Sequence, residues 1–167
     1  MIEYSTLDIL KQAILLERRG RAFYENIAEK TENKAVQNIF EMLADEEQKH
    51  IHALSEQFKA YLNKKKFIPV GLHEPNSDNV ASKVLILEIK EKISAAGFEA
   101  AAISAGIAME ERAVKLYSES ARNASDPEAK ALYEWLAGWE REHLNLLMDI
   151  DKSLLEKIWF DNKFWPF

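Results

Sequence analysis

The chain has 167 residues and a formal net charge of −6, so we expect a single domain with a substantial core and no nucleic-acid partner. It contains no cysteine, which excludes disulfides, thiolate nucleophiles and Cys-ligated zinc or iron within this sequence. It has no apolar run long enough to span a membrane and no signal-peptide pattern at its N-terminus, so we expect a soluble, cytoplasmic protein without a membrane partner.

Five glycines and four prolines are few for this length, which favours long helices with short connections. Ser5 or Thr6 is expected to cap the first helix, which ends before a break at residues 31–33. Asp126 supplies the cap of the fourth helix and Pro127 its first turn. The four predicted helices cover about residues 5–30, 34–63, 98–123 and 127–152.

The connection between the second and third helices is much longer than the other two and spans about residues 64–97. Its first part is expected to be a linker, whereas residues 84–93 fit either a strand or a short helix. Short connections make antiparallel hairpins, and about 18 extended residues can run the full length of a long helix. We therefore predict one all-α domain over residues 1–167, a four-helix bundle in which a long crossover joins the hairpins 5–63 and 98–152.

The last segment, residues 153–167, has a pattern of its own. Ser153 and Glu156 have the spacing of a capping box, which predicts a short C-terminal helix after the bundle. An aromatic tail follows it. We expect this tail to cover the core or to contact a second copy of the chain, and we expect a homodimer.

The sequence repeats itself after a shift of 93 residues, without a gap. Over residues 13–29 and 39–55, eleven of 34 positions are identical to the positions one shift away. Two hairpins related in this way predict a pseudo-twofold axis, and a site on that axis would receive the same residue types twice. The identical pairs include Glu17 with Glu110, Tyr24 with Tyr117, Glu47 with Glu140 and His50 with His143.

Six polar residues interrupt the apolar stripes of the four helices, where hydrophobic residues are expected: Glu17, Glu47, His50, Glu110, Glu140 and His143. Burying four carboxylates in one layer is costly, and two divalent cations would balance their charge. Glu-x-x-His places both side chains on one helix face, and a mixed carboxylate and imidazole set suits iron or manganese better than calcium. Without metal, burial and like charge should raise the pKa of all four carboxylates.

The segments that carry these residues resemble the ferritin-like di-iron family, and most closely its rubrerythrin branch. They lie at residues 14–24, 44–50, 109–117 and 139–143. The resemblance covers the four helices and implies a ferritin-like bundle with two iron ions, manganese or a mixed pair being the alternatives. It also implies reduction of hydrogen peroxide with electrons from a rubredoxin-like donor.

The resemblance assigns a role to each ligand position. Glu47 and Glu140 would bridge the two metals, because they match the bridging glutamates of the family. Glu17 and Glu110 would each bind one metal as terminal ligands. Each of the two histidines would bind one metal.

Two tyrosines and two small residues complete the comparison. Tyr24 and Tyr117 match tyrosines that hydrogen-bond to ligand carboxylates, and we place them among the catalytic residues; two helical turns separate each from its terminal glutamate, which permits that role. The family usually has a further glutamate where this chain has Ala113, whose repeat partner is Gly20. Ligand exchange attributed to that carboxylate is therefore not expected here. The cysteine-bound iron domain is also missing, so a reductase would need a separate electron donor such as a rubredoxin.

Three functions remain open from the sequence. The first is a di-iron oxidoreductase that reduces a small oxidant, peroxide or dioxygen. The second is an iron-binding, ferroxidase or storage protein without sustained turnover. The third is a structural or sensor bundle that holds metal without chemistry.

Overall fold

The computed structural model describes residues 5–69, 71, 86–89, 91, 93 and 97–162. The regular structure in these ranges is helical, with no strand, which confirms the predicted all-α class. The main elements are four helices: α1 (Thr6–Lys30), α2 (Lys34–Lys64), α3 (Phe98–Asn123) and α4 (Pro127–Asn162). None of the helices in the described ranges has an apolar stretch that could cross a membrane.

Side-chain caps fix the beginnings of three helices. Of the two candidates for α1, the structure uses Ser5: its hydroxyl accepts the backbone N–H of Asp8, and the Asp8 carboxylate accepts the backbone N–H of Ser5. The side chain of Asn33 caps α2, and that of Asp126 accepts backbone N–H groups at the beginning of α4. Each cap gives partners to N–H groups that the first helical turn leaves unpaired.

The fourth helix does not end where the sequence predicted. Instead of stopping near residue 152 and giving way to a separate short helix at Ser153, α4 continues without a break to Asn162. The capping-box pattern is overridden because the apolar stripe continues past it, and Leu147, Ile150 and Leu154 are all buried. Of the predicted aromatic tail, Trp159 and Phe160 belong to α4 and are 57% and 81% exposed, so these two do not cover the core, and residues 163–167 lie outside the described residues.

The crossover is described at its two ends. At its beginning, the side-chain amide of Gln57 donates to the Ile68 carbonyl over 2.7 Å and accepts the Ile68 N–H over 3.0 Å, which ties the crossover to α2. Near its end, residues 86–89 are helical, and Ile89 and Ile93 are buried in the core. At these positions the ambiguity between strand and helix is settled in favour of helix.

Contacts between the helices give their directions. Tyr24 of α1 contacts Glu110 of α3, and Tyr117 of α3 contacts Glu17 of α1, so these two helices run antiparallel. The connection at residues 31–33 is too short for α1 and α2 to be anything but an antiparallel hairpin. Hence α2 and α3 run parallel, so the end of α2 and the beginning of α3 lie at opposite ends of the bundle.

Two apolar clusters fill the bundle, one towards each end. One contains Phe40 and Ile103, and the other contains Leu10 and Leu136. Along every helix, the residues of the two clusters are separated by the stretch that carries the glutamates and histidines. The polar layer therefore lies between two dry cores, which hold its backbone positions rigidly.

Candidate metal centre

The six polar residues that interrupt the stripes are brought together in the middle of the bundle. Each is 1–3% exposed, and α1 and α3 each supply one glutamate while α2 and α4 each supply a Glu-x-x-His pair. They are Glu17, Glu47, His50, Glu110, Glu140 and His143. Their ligand atoms form two groups, in each of which all the atoms lie within 4.8 Å of one another.

The first group surrounds His50 and consists of Glu17, Glu47, His50 and Glu140. The Nδ1 atom of His50 lies 3.1 Å from Glu17 Oε2, 3.3 Å from Glu47 Oε2 and 3.0 Å from Glu140 Oε1. One nitrogen and three carboxylate oxygens thus face a common point. Three of the four residues come from the first hairpin, and the fourth comes from the second.

The second group surrounds His143 and consists of Glu47, Glu110, Glu140 and His143. The Nδ1 atom of His143 lies 3.6 Å from Glu47 Oε1, 3.7 Å from Glu110 Oε1 and 3.6 Å from Glu140 Oε2. Glu47 and Glu140 belong to both groups, and each directs one oxygen to His50 and the other to His143. This is the arrangement that a carboxylate bridge between two cations requires.

The two tyrosines link the hairpins through the outer glutamates. Tyr24 donates its hydroxyl to Glu110 Oε1, and Tyr117 donates its hydroxyl to Glu17 Oε1. Both tyrosines are fully buried. These two bonds are related by the 93-residue shift, as a pseudo-twofold axis demands. Tyr117 bonds Oε1 of Glu17 and leaves Oε2 to face His50, whereas Oε1 of Glu110 both accepts from Tyr24 and lies 3.7 Å from His143 Nδ1.

The donor set fits a pair of divalent cations. Within the described ranges no lysine or arginine forms an ion pair with any of the four glutamates. In addition, the buried atoms Glu140 Oε1 and His143 Nδ1 lack a hydrogen bond of regular geometry, although Glu140 Oε1 lies 3.0 Å from His50 Nδ1. Buried polar atoms without a well-formed partner are rare and costly, and both residues belong to the groups whose ligand atoms lie within 4.8 Å of one another.

The family follows from a comparison with known proteins. A family model described as Rubrerythrin matches residues 8–151. The chain belongs to the rubrerythrin family. Among curated proteins and among solved structures, no significant match is found.

The pKa values of the four glutamates in this rubrerythrin-family centre are shifted in different directions, which corrects one expectation. Burial, with the nearby charge of Glu140, raises the pKa of Glu17 well above 4.5, and burial raises that of Glu110 to about 8. Burial would also raise the pKa of Glu140, but the His50 charge and hydrogen bonds from both histidines hold it well below its usual value. The pKa of Glu47 is lowered too, against burial and the charge of Glu140, by hydrogen bonds from neighbouring residues. The prediction that the pKa values of all four carboxylates would be raised is wrong for the shared pair, Glu47 and Glu140.

The histidines complete this charge pattern. Burial alone would lower their pKa values, but the surrounding carboxylates raise both well above 6.5. Without metal, these pKa directions favour protonated imidazoles beside the two shared carboxylates, and neutral outer glutamates, at neutral pH. A metal pair would displace these protons, because metal binding needs neutral imidazole and ionised carboxylate.

Sequence reasoning missed two contacts of the histidines. The Oε2 atom of Glu46, on α2, lies 2.6 Å from Nε2 of His143, on the side away from the site. Trp139 stands edge-on to His50, with ring centroids 6.0 Å apart. The sequence repeat contained a signal for this difference. Position 46 corresponds to position 139 after the shift of 93, and a glutamate at one and a tryptophan at the other indicate that the two halves differ beside the histidines.

Two spaces border the centre. A cavity of about 620 Å³ is lined by His50, Trp135 and Trp139 together with the beginning of the crossover. On the opposite flank, Gly20 and Ala113 line a space of only about 10 Å³ beside the carboxylates, close to the volume that one water needs. The missing family glutamate at position 113 thus leaves almost no empty room.

Proposed function

We propose that this chain is a di-iron oxidoreductase that reduces a small oxidant, peroxide or dioxygen, with electrons from a separate donor. The observation that carries the proposal is the pair of buried four-residue groups that share Glu47 and Glu140. In this proposal Glu47 and Glu140 would be held in common by both irons, Glu17 and Glu110 would each serve one iron, and each histidine would serve one iron. Iron would supply the reversible one-electron steps of the reaction.

The residues around the ligands would hold them in place during electron transfer. Tyr24 and Tyr117 each donate a hydrogen bond to an outer glutamate, which would fix its orientation. The two apolar clusters exclude water from both ends of the layer. The donor must bring its own redox centre, since this sequence has no cysteine to hold one.

Rapid mixing tests the proposal directly. Iron-loaded, anaerobically reduced protein is mixed with hydrogen peroxide or with dioxygen, and the ferric absorption is followed in time. We expect oxidation within seconds and repeated turnover when reduced rubredoxin is added. Glu47→Ala should abolish the reaction, whereas Glu41→Ala, on an exposed position of the same helix, should leave it unchanged. Iron that stays reduced for hours would refute an oxidoreductase.

Iron oxidation and storage is the second candidate. The observation that favours it is Ala113, which replaces the additional carboxylate expected from the family and leaves six ligands. The two functions differ in assembly, since storage needs a closed shell of many subunits, whereas the oxidoreductase is expected to be a homodimer. Native mass, together with the iron retained per chain after aerobic loading, distinguishes them: more than two irons per chain in a shell would favour storage.

A further inference from the structure

The two histidines of the centre have different surroundings, although the repeat relates them. His143 Nε2 lies 2.6 Å from a carboxylate oxygen of Glu46, whose side chain is 19% exposed. The residue related to Glu46 by the shift of 93 is Trp139, whose ring lies beside both histidines, with centroids 6.0 Å from that of His50 and 6.3 Å from that of His143. Within the described ranges, the carboxylates in contact with His50 are Glu17, Glu47 and Glu140, and all three meet its Nδ1.

This difference matters for metal binding. A histidine that donates its outer N–H to a carboxylate is held in one tautomer and one orientation, and its inner nitrogen becomes a stronger ligand. Glu46 can accept such a bond from His143, which leaves Nδ1 to face the shared glutamates. Trp139 offers His50 no equivalent, because an indole N–H donates and does not accept.

Charge differs in the same direction. Glu46 places a fourth carboxylate beside the three of the His143 group, where it increases the attraction for a cation. Burial does not distinguish the two positions, since His50 is 1% exposed and His143 is 3% exposed, and the cavity of about 620 Å³ is lined by both His50 and Glu46. Orientation and charge therefore favour the same one of the two positions.

We infer that the two metal positions are inequivalent: the position formed by Glu47, Glu110, Glu140 and His143 binds a divalent metal first and more tightly than the position at His50. Glu46 is the positioning residue that creates the difference. The inference rests on the proposed metal centre. It implies stepwise loading, with the His50 position filled second and emptied first.

The test is a titration of metal-free protein with Co²⁺, followed by calorimetry and by the visible absorption of bound cobalt. We expect two steps in the unmodified chain, with affinities at least about tenfold apart. Glu46→Gln should weaken the first step by about tenfold or more and change its cobalt spectrum. The matched control is Asp45→Asn, which removes the same charge from the adjacent, exposed position and should leave both steps unchanged.

Three further variants assign the steps and protect the test against misfolding. His50→Ala should keep the tight step, and His143→Ala should lose it. Trp139→Glu places a carboxylate at the position related to Glu46 and should strengthen the weak step, bringing the two affinities closer. These variants decide the question even if Glu46→Gln fails to fold, which circular dichroism would show.

The outcomes separate the inference from the metal centre itself. Two equal affinities in the unmodified chain, or identical behaviour of Glu46→Gln and Asp45→Asn, would overturn the inference while leaving the di-iron proposal intact. A tight step that survives His143→Ala would overturn the assignment of the first position. Failure of the unmodified chain to bind Co²⁺ would overturn the metal centre and the inference with it.

Discussion

The metal-free protein should lose stability as the pH rises from about 5 to 8, and the buried glutamates and histidines cause the loss. Glu17 and Glu110 have pKa values above those of the unfolded chain, and so do both histidines. The folded state therefore holds more protons than the unfolded state over this range, and unfolding releases them. The stabilisation from these groups is fully present below their pKa values in the unfolded chain. It is lost as the pH rises through their pKa values in the folded protein.

Glu110 sets the scale of this effect. Its pKa is raised from 4.5 to about 8, so the free energy of unfolding at a pH above 8 should be about 5 kcal/mol lower than at a pH below 4.5. This loss is an upper bound, because Glu110 shares the site with other titrating groups. Glu47 and Glu140 act in the opposite sense, since their pKa values are lowered and their stabilisation disappears only on acidification below about 4.5. Maximal stability of the metal-free protein is thus expected near pH 5.

Urea unfolding in the presence of a chelator, at pH 5, 6 and 7.5, measures the change. Glu110→Gln is the informative variant: because an amide does not titrate, the loss of stability between pH 5 and 7.5 should become smaller, and Glu17 and the histidines should account for what remains. Metal-loaded protein should show the opposite sign, with stability lost on acidification as the ligands take up protons. A metal-free stability that is constant or rises between pH 5 and 7.5 would refute the argument that these groups share one buried layer.

Three further tests, with five substitutions, address the packing and the ligand roles. Glu47→Ala should remove more metal per chain than Glu17→Ala, since a bridge serves both ions; elemental analysis after purification measures it, and equal losses would argue against the bridging role. Tyr117→Phe removes the hydrogen bond to the buried carboxyl group of Glu17 and should destabilise the metal-free protein by about 1–3 kcal/mol at pH 7.5. Urea unfolding measures this change, and an unchanged midpoint would contradict the prediction. Gly106→Ala would bring a methyl group within 2.9 Å of a buried leucine of α4, whereas Gly138→Ala meets nothing within 4 Å. Gly106→Ala should therefore be about 1–3 kcal/mol less stable than Gly138→Ala and should have a lower melting temperature. Equal melting temperatures would show that the core accommodates the methyl group without loss of stability.

Local chemistry explains why the helices could be placed from the sequence. Ser5, Asn33 and Asp126 are capping residues that act on their own helix, so their effect is visible without knowledge of the fold. The glutamates of the candidate centre could be picked out for a similar reason, because a charge inside an apolar stripe contradicts the pattern around it. Periodicity within one helix carries both signals.

The features that sequence reasoning missed depend on distances between helices. The capping-box pattern at Ser153 is local, but the buried contacts of Leu154 decide that the helix continues. The division of charge among the carboxylates depends on which oxygen each histidine meets, and residue spacing along one helix says nothing about it. The contact between Glu46 and His143 joins α2 to α4 and has no counterpart in the other half of the repeat.

The sharing of Glu47 and Glu140 has a consequence for how the molecule assembles. Neither hairpin contains a complete ligand group: the first lacks Glu140, and the second lacks Glu47. Each hairpin can form from contacts between residues that are close in sequence. A complete ligand group for either ion exists only after the two hairpins have packed against each other. Tight metal uptake is thus a readout of docking and not of helix formation. A single ancestral hairpin that paired with its own copy would have formed both groups at once, in strictly symmetric form.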